Sequence, residues 1–294
     1  MLFENGFVAR AKEYLREGVK KGYKIQGPGY INNSRLYDTL GLILVHEGDY
    51  PRALEAFEHA RRPYELQRMS DNHYFNILGN EFCVLDRLYE YDRGYQLFRE
   101  EIERRIGDIN RKLSPDEFIR FLSNVGCFLF NSSRYTDARA ILDHTIKYPV
   151  ARNSLDNDSY VKLFTNLACL EMREKEQQKA DSYFKRALER ETESFRVRTD
   201  LVPHWTSYHL HNNLALFYFK RGEFSKSIRE FCEVQESLAS IEEDEDMMDQ
   251  SLIHLNYNIA WVYEKWKKPD KAIEHFEEAA RVARRFHGED HIFI

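Results

Sequence analysis

Turn formers and cross-links are scarce in this chain. It has 7 prolines and 13 glycines in 294 residues. That is too few for a collagen-like or low-complexity disordered chain, and it requires long helices. The four cysteines, Cys83, Cys127, Cys169 and Cys232, form no CxxC knuckle. With 43% hydrophobic residues the chain can build a core without disulfide staples, so a reducing, cytoplasmic setting is expected. A basic excess is also missing. The 43 Lys and Arg stand against 49 Asp and Glu, a formal charge of -6, which argues against a general nucleic-acid binder. No apolar run is long enough to span a membrane. The opening residues Met1 to Asn5 lack the basic-then-apolar order of a secretory signal. A soluble protein with no membrane partner is expected.

Sites for chemistry are equally scarce. No glycine-rich run leads to Gly-Lys-Ser/Thr, and no G-x-S-x-G elbow is present. His209-x-His211 and His287-x-x-x-His291 are the close histidine pairs. The first splays across a helix instead of converging, and the second brackets Gly288-Glu289-Asp290, which reads as a junction. No catalytic residue, metal site or cofactor is expected, and the chain reads as a non-enzyme.

What the chain does have is a repeat. One copy runs Tyr37-x-x-Leu40-Gly41-x-x-Leu44, then Gly48-Asp49-Tyr50, then Ala53, Phe57 and Ala60. Others carry Leu122, Val125, Gly126, Leu129, Tyr135, Ala138 and Leu142; Phe164, Leu167, Ala168, Ala180, Phe184 and Ala187; Leu214, Ala215, Tyr218, Gly222, Phe224, Ser227 and Phe231; and Ile259, Ala260, Tyr263, Ala272, Phe276 and Ala279. A degenerate second copy aligns Phe75, Leu78, Gly79 and Phe82, then regains register at Tyr91, Gly94 and Phe98 after about three extra residues in its turn. Spacings of three and four place Leu40, Gly41 and Leu44 on one helical stripe and Ala53, Phe57 and Ala60 on the stripe facing it. Small residues let the two helices approach, and the ring four places after Ala53 fills the gap beyond. A lone helix pair leaves an apolar side open, so stacking is implied.

This pattern resembles the tetratricopeptide repeat family over residues 34–287. The fold class implied is all-α, a right-handed superhelix of six helix pairs starting near residues 34, 72, 119, 161, 208 and 253. Intervals of 38, 47, 42, 47 and 45 residues resemble the long repeats of kinesin light chain tails and bacterial peptide-sensing regulators. Residues 1–26 read as a partial repeat or capping helix, since Gly6, Val8, Ala11, Leu15 and Gly18 fit a turn and second helix; residues 288–294 read as a tail. Both ends would expose apolar faces, which suggests a piece of a longer solenoid or ends covered by partner subunits. Glu242-Glu243-Asp244-Glu245-Asp246 with Asp249 reads as an exposed connection after the fifth copy. Leu113-Ser114-Pro115-Asp116-Glu117 reads as a helix cap with proline in the first turn.

In the resembled family the first helices line a ligand groove. Asn124, Asn166, Asn213 and Asn258 hold one position in four consecutive copies, where the first two copies have Thr39 and Ile77. These amides either meet a peptide backbone or bridge neighbouring repeats. Around them stand Asn76, Asn80, Arg120, Lys162, Arg173, Asn212, Lys220, His254, Trp261 and Lys265. This amide-rich, locally basic set implies a protein or peptide partner bearing a carboxylate or acidic residues, with Trp261 as an aromatic anchor. Asn80, Asn124 and Arg120 partly match the family's terminal-carboxylate clamp, which has Lys where Asn76 stands here. The leading function is a peptide-binding scaffold. The alternatives are an oligomeric assembly module or the peptide-responsive domain of a larger bacterial transcription regulator.

Overall fold

The computed structural model describes residues 13–15, 17–18, 20–22, 24, 30–103, 105–147, 157–197, 205–239 and 245–287. Every regular element among them is helical. The chain divides into two compact units, residues 1–154 and 155–294, and each is a stack of helix pairs of the α-solenoid type. The first unit holds α1 (Ile31–His46), α2 (Tyr50–Gln67), α3 (Asn72–Arg87), α4 (Tyr91–Leu97), a π-helical segment Phe98–Glu103, α5 (Ile106–Lys112), α6 (Pro115–Asn131) and α7 (Tyr135–Ile146). Its pairs are α1–α2, α3–α4 and α6–α7, with α3 packed on α2 and α6 on α3. The second unit holds α8 (Asn157–Arg173), α9 (Gln177–Val197), α10 (Trp205–Lys220), α11 (Phe224–Ala239), α12 (Glu245–Lys265) and α13 (Pro269–His287). Its pairs are α8–α9, α10–α11 and α12–α13; α10 packs on α8 and α9, and α12 on α11.

One device closes all six pairs. The residue at the same place in each turn lies in the left-handed region: Gly48 at φ 72°, Tyr89 at 57°, Ser133 at 62°, Lys175 at 65°, Gly222 at 73° and Lys267 at 61°. Its N–H donates to the carbonyl three residues back and the next N–H to the carbonyl five back. Gly48 to Val45 (3.0 Å) with Asp49 to Leu44 (2.9 Å) is one case, and Lys267 to Glu264 with Lys268 to Tyr263 (both 3.0 Å) another. This is the Schellman closure, which satisfies carbonyls that a helix end leaves open.

The apolar spacing read from the sequence is realised in the core. A Cβ on Gly41 would meet the Phe57 ring at 2.5 Å, so only glycine lets α1 and α2 approach this closely. Phe57, Phe75, Phe82, Phe121 and Phe128 are buried. Rings step from helix to helix, with Tyr64–Tyr74 at 5.6 Å, Phe75–Phe121 at 5.5 Å and Phe82–Phe128 at 5.2 Å. Each such ring, fully buried, is worth about 1.5–3 kcal/mol. In the second unit Phe231, Val234, Leu255, Ile259 and Val262 form the shared core of α11 and α12.

The second copy differs from its sequence register. Helices α1 and α3 each have 16 residues, and Tyr89 closes its turn as Gly48 closes the first, so the turn has no insertion. Counting back from Tyr89 puts Phe82, not Gly79, in the place of Gly41. Bulk has been exchanged between the two helices: Gly94 stands where Ala53 does, and Phe128 of α6 fills the space over it, where a Cβ would overlap the ring. The extra chain lies after α4, in the π-helical segment and α5. There the Tyr74 hydroxyl donates to Glu101.

Other expectations resolve locally. Helix α6 begins at Pro115 behind a capping box, with the Ser114 N–H donating to Glu117 Oε2 at 3.0 Å. The acidic run is not wholly a connection, because the backbone is helical from Glu245 and takes Asp246 and Asp249 into α12; residues 242–244 lie outside the described ones. So do residues 1–12, 25–29 and 288–294, including the predicted turn at Gly6 and the tail. The described helical positions between 13 and 24 pack on α1, with Gly18 against Leu36 and Gly22 against Asn33.

Lysine in a left-handed position costs about 1–2 kcal/mol that glycine avoids, less glycine's own loss of chain entropy. Lys267→Gly is therefore expected to stabilise the protein by about 0.5–1 kcal/mol in urea melts, and Gly222→Ala to destabilise it. An unchanged or lowered midpoint for Lys267→Gly contradicts this assignment.

Candidate functional site

The shared turns put the first helices of all pairs, α1, α3, α6, α8, α10 and α12, in one register. Counting back from the left-handed residue, four places separated by four, three and four residues fall on one stripe of each helix. In the first unit the rows are Arg35, Asn76, Arg120; Thr39, Asn80, Asn124; Leu42, Cys83, Cys127; and His46, Arg87, Asn131. In the second they are Lys162, His209, His254; Asn166, Asn213, Asn258; Cys169, Leu216, Trp261; and Arg173, Lys220, Lys265. None of these side chains is buried. In a chain with 49 acidic residues, the stripes carry no Asp or Glu, so their charge is uniformly positive.

The correction at the second copy extends the amide row. Asn80, not Ile77, stands in line with Asn124, and Ile77 is fully buried in the core. Asparagine therefore fills this place in five of six copies. The sequence-predicted residues Asn76, Asn80, Arg120, Asn124, Lys162, Asn166, Arg173, Asn213, Lys220, His254, Asn258, Trp261 and Lys265 all lie on the stripes; Asn212 falls one place off. Arg35, Arg87 and His209 share the stripes and were not among the sequence-predicted residues. Their signal was in the sequence, but reading it needs the turn positions.

Two of the amides are oriented by partners that can only accept. Asn80 Nδ2 donates to Asp38 Oδ1 on α1 at 3.2 Å, and Asn213 Nδ2 to the His209 carbonyl at 2.8 Å. Thr39 makes the same backward bond to the Arg35 carbonyl, at 2.8 Å. Both amides therefore keep Oδ1 as an acceptor. Burial pushes the Asp38 carboxyl up, against the lowering effect of His73 and of the Asn80 hydrogen bond. At the far end of the second unit, Tyr257 and Trp261 of α12 are 49% and 37% exposed, with ring centroids 6.2 Å apart. Lys265 Nζ lies 5.2 Å from the Trp261 ring.

A tetratricopeptide repeat family model matches residues 253–286, within α12 and α13. Three solved structures are similar along most of their length. A tetratricopeptide repeat protein from Parabacteroides merdae has a TM-score of 0.58 at 16% identity, over 96% of this chain and 89% of its own. BtubC (BKLC) from P. vanneervenii scores 0.56 at 17% identity, over 84% and 94%. PilF of Pseudomonas aeruginosa scores 0.51 at 16% identity, over 87% and 93%. No curated protein matches the chain. The fold is TPR-like. At these identities the likeness is one of fold alone.

Among the described residues of this TPR-like chain, no group of three or more His, Cys, Asp or Glu side chains is placed to hold a metal ion. No helix among them is long and apolar enough to cross a membrane. The pair His209-x-His211 splays as the spacing predicts: His209 is exposed, while His211 faces inward. His211 Nδ1 lies 2.9 Å from Glu230 of α11 and its Nε2 3.1 Å from Glu191 of α9. Ser207 also donates to Glu191. One imidazolium thus ties three helices and fixes how α10 presents its stripe.

Burial alone would depress the His211 pKa, but hydrogen bonds to Glu191 and Glu230 and their charges outweigh it, and it is pushed up to about 9. A group raised from 6.5 to about 9 stabilises the fold fully below pH 6.5, by about 3 kcal/mol. That contribution is lost as pH rises through 9. The melting temperature is expected to fall between pH 7 and pH 10, and His211→Gln to lower it at pH 7 and flatten the profile. An undiminished slope in His211→Gln contradicts this role.

Proposed function

We propose that the chain is a non-catalytic, cytoplasmic scaffold that holds an extended peptide or partner segment against the leading-helix stripes. One observation carries this reading: an amide row runs between cationic rows with no carboxylate on any stripe. An extended segment leaves its backbone N–H and C=O groups open, and a side-chain amide can serve both. The cations favour a terminal carboxylate or acidic side chains. The net charge of -6 lies elsewhere on the surface, which favours a local acidic ligand over a long polyanion. Long repeat intervals support the type resembling kinesin light chain tails and bacterial peptide-sensing regulators.

A second reading, assembly through the last pair, is favoured by a different observation. Phe276 is only partly buried, whereas its counterparts Phe57, Phe98, Phe184 and Phe231 are buried. Ile273 beside it is 54% exposed.

Peptides selected from a displayed random library provide the test. Asn166→Ala, Asn213→Ala and Asn258→Ala are each expected to weaken binding about tenfold, the size of one or two lost hydrogen bonds, with little change in melting temperature. Unaltered binding in all three removes the stripe from the account. Size-exclusion light scattering decides the second reading, since a monomer at every concentration excludes it.

A further inference from the structure

We propose that the turn between α12 and α13 is a docking surface for a short acidic segment of a partner protein, separate from the stripes. Lys265, Lys267, Lys268 and Lys271 cluster in this turn and all four are exposed. Of these, Lys265 alone belongs to a stripe. Among the described residues, no ion pair engages any of the four. Other turns hold cation–carboxylate pairs: Arg52 with Asp49 at 3.2 Å, Arg93 with Glu90 at 2.8 Å and Lys179 with Glu176 at 3.7 Å. In the last turn, aromatic rings take the place of the carboxylates. Lys268 Nζ lies 3.3 Å from the Trp266 ring centroid, Lys271 Nζ 5.4 Å from that of Tyr263 and Lys265 Nζ 5.2 Å from that of Trp261. A ring attracts a cation without cancelling its charge. It also holds the side chain, so part of the rotamer freedom that a lysine gives up on binding is already lost. Tyr263 and Trp266 are stacked within 4° of parallel at 6.1 Å, and Trp266 meets Phe224 of α11 at 6.3 Å, which anchors the platform in the core.

Lys267 adds a separate observation. It occupies the left-handed position at φ 61°, where Gly48 and Gly222 stand in two other turns. A side chain there carries a conformational cost that glycine avoids, and strain of this kind gathers at functional sites. Lys175 shares the conformation but stands between Glu174 and Glu176. Size and sign then select the partner. Glu264 and Asp270 are exposed beside the lysines, and the chain as a whole carries a charge of -6. A bilayer or a duplex would therefore bring phosphates against carboxylates as well as lysines. The faces of Trp266 and Tyr263 are taken by each other, His275 and the lysines, which disfavours base stacking. A short run of carboxylates meets the four ammonium groups, each a compact point charge, and avoids both conflicts.

The full chain is titrated with a fluorescein-labelled peptide of six consecutive glutamates flanked by Gly-Ser, and binding is expected to weaken as salt is added. Lys267→Gly separates recognition from stability: it is expected to bind the peptide about two- to threefold more weakly although its urea midpoint rises. Combining it with Lys268→Gln and Lys271→Gln is expected to weaken binding at least tenfold, and Lys271→Arg to retain it. Undiminished affinity in the triple variant overturns the proposal, as does a loss in Lys271→Arg equal to that of the triple variant. Tighter binding of oligodeoxythymidylate or of phosphatidylserine vesicles overturns it too. Asn166→Ala, Asn213→Ala and Asn258→Ala are expected to leave binding of the glutamate peptide unchanged. If they weaken it as much as the triple variant does, the peptide lies on the stripes, so this inference fails and the stripe reading stands. If library-selected peptides bind through the asparagines and the glutamate peptide does not bind, this inference alone fails.

Discussion

The left-handed turn residue is the constraint from which the rest follows. Because the same closure recurs at Gly48, Tyr89, Ser133, Lys175, Gly222 and Lys267, each leading helix enters its turn in the same register. A helix turned by one residue would rotate its stripe by about 100° and scatter the rows. Four non-glycine residues hold this conformation against its intrinsic cost. Their hydrogen bonds and the buried rings behind each turn, Phe57, Phe98, Phe184 and Phe231 among them, supply the compensating stabilisation. A strained local geometry is thus maintained by the core, and the core is aligned by that geometry.

Polar groups within the packing then set the finer orientation. In the first unit Arg61 Nε meets Glu81 at 2.9 Å and 3.1 Å, and burial drives the Glu81 carboxyl up to about 7 against the pull of Arg61. Glu81 stands at the place held by Leu40, Val125, Leu167, Leu214 and Ile259 in the other copies, and there an ion pair joins α2 to α3. In the second unit the His211 clamp has the same function across three helices. Removing either partner of such a contact strands a buried charge, so each ties its helices to one arrangement.

Most of the fold was legible in the sequence because ring and small-residue spacings are local, and five copies kept them. The second copy misled because Phe82 and Gly94 exchange the usual sizes: pattern matching seized on Gly79, which instead meets Phe121 of the next helix. The π-helical segment carried no recognisable signal. The His211 clamp was hidden for another reason, since its partners Glu191 and Glu230 lie on different helices and meet only through packing. On the stripes, residue types were readable but their alignment was not. Four of the six turn residues are not glycine, so the landmark that defines the register appears only in the backbone.

The central claim is that the stripes of the leading helices are the ligand-bearing surface, and the chain's own cysteines can report on it. Cys169 lies in the middle of the α8 stripe, while Cys232 is exposed on α11, away from any stripe. The decisive measurement is the rate of maleimide alkylation at each, read by mass spectrometry, with and without a saturating library-selected peptide. The account predicts that peptide slows alkylation of Cys169 several-fold and leaves Cys232 unchanged. Protection of Cys232 with no effect at Cys169 would contradict it.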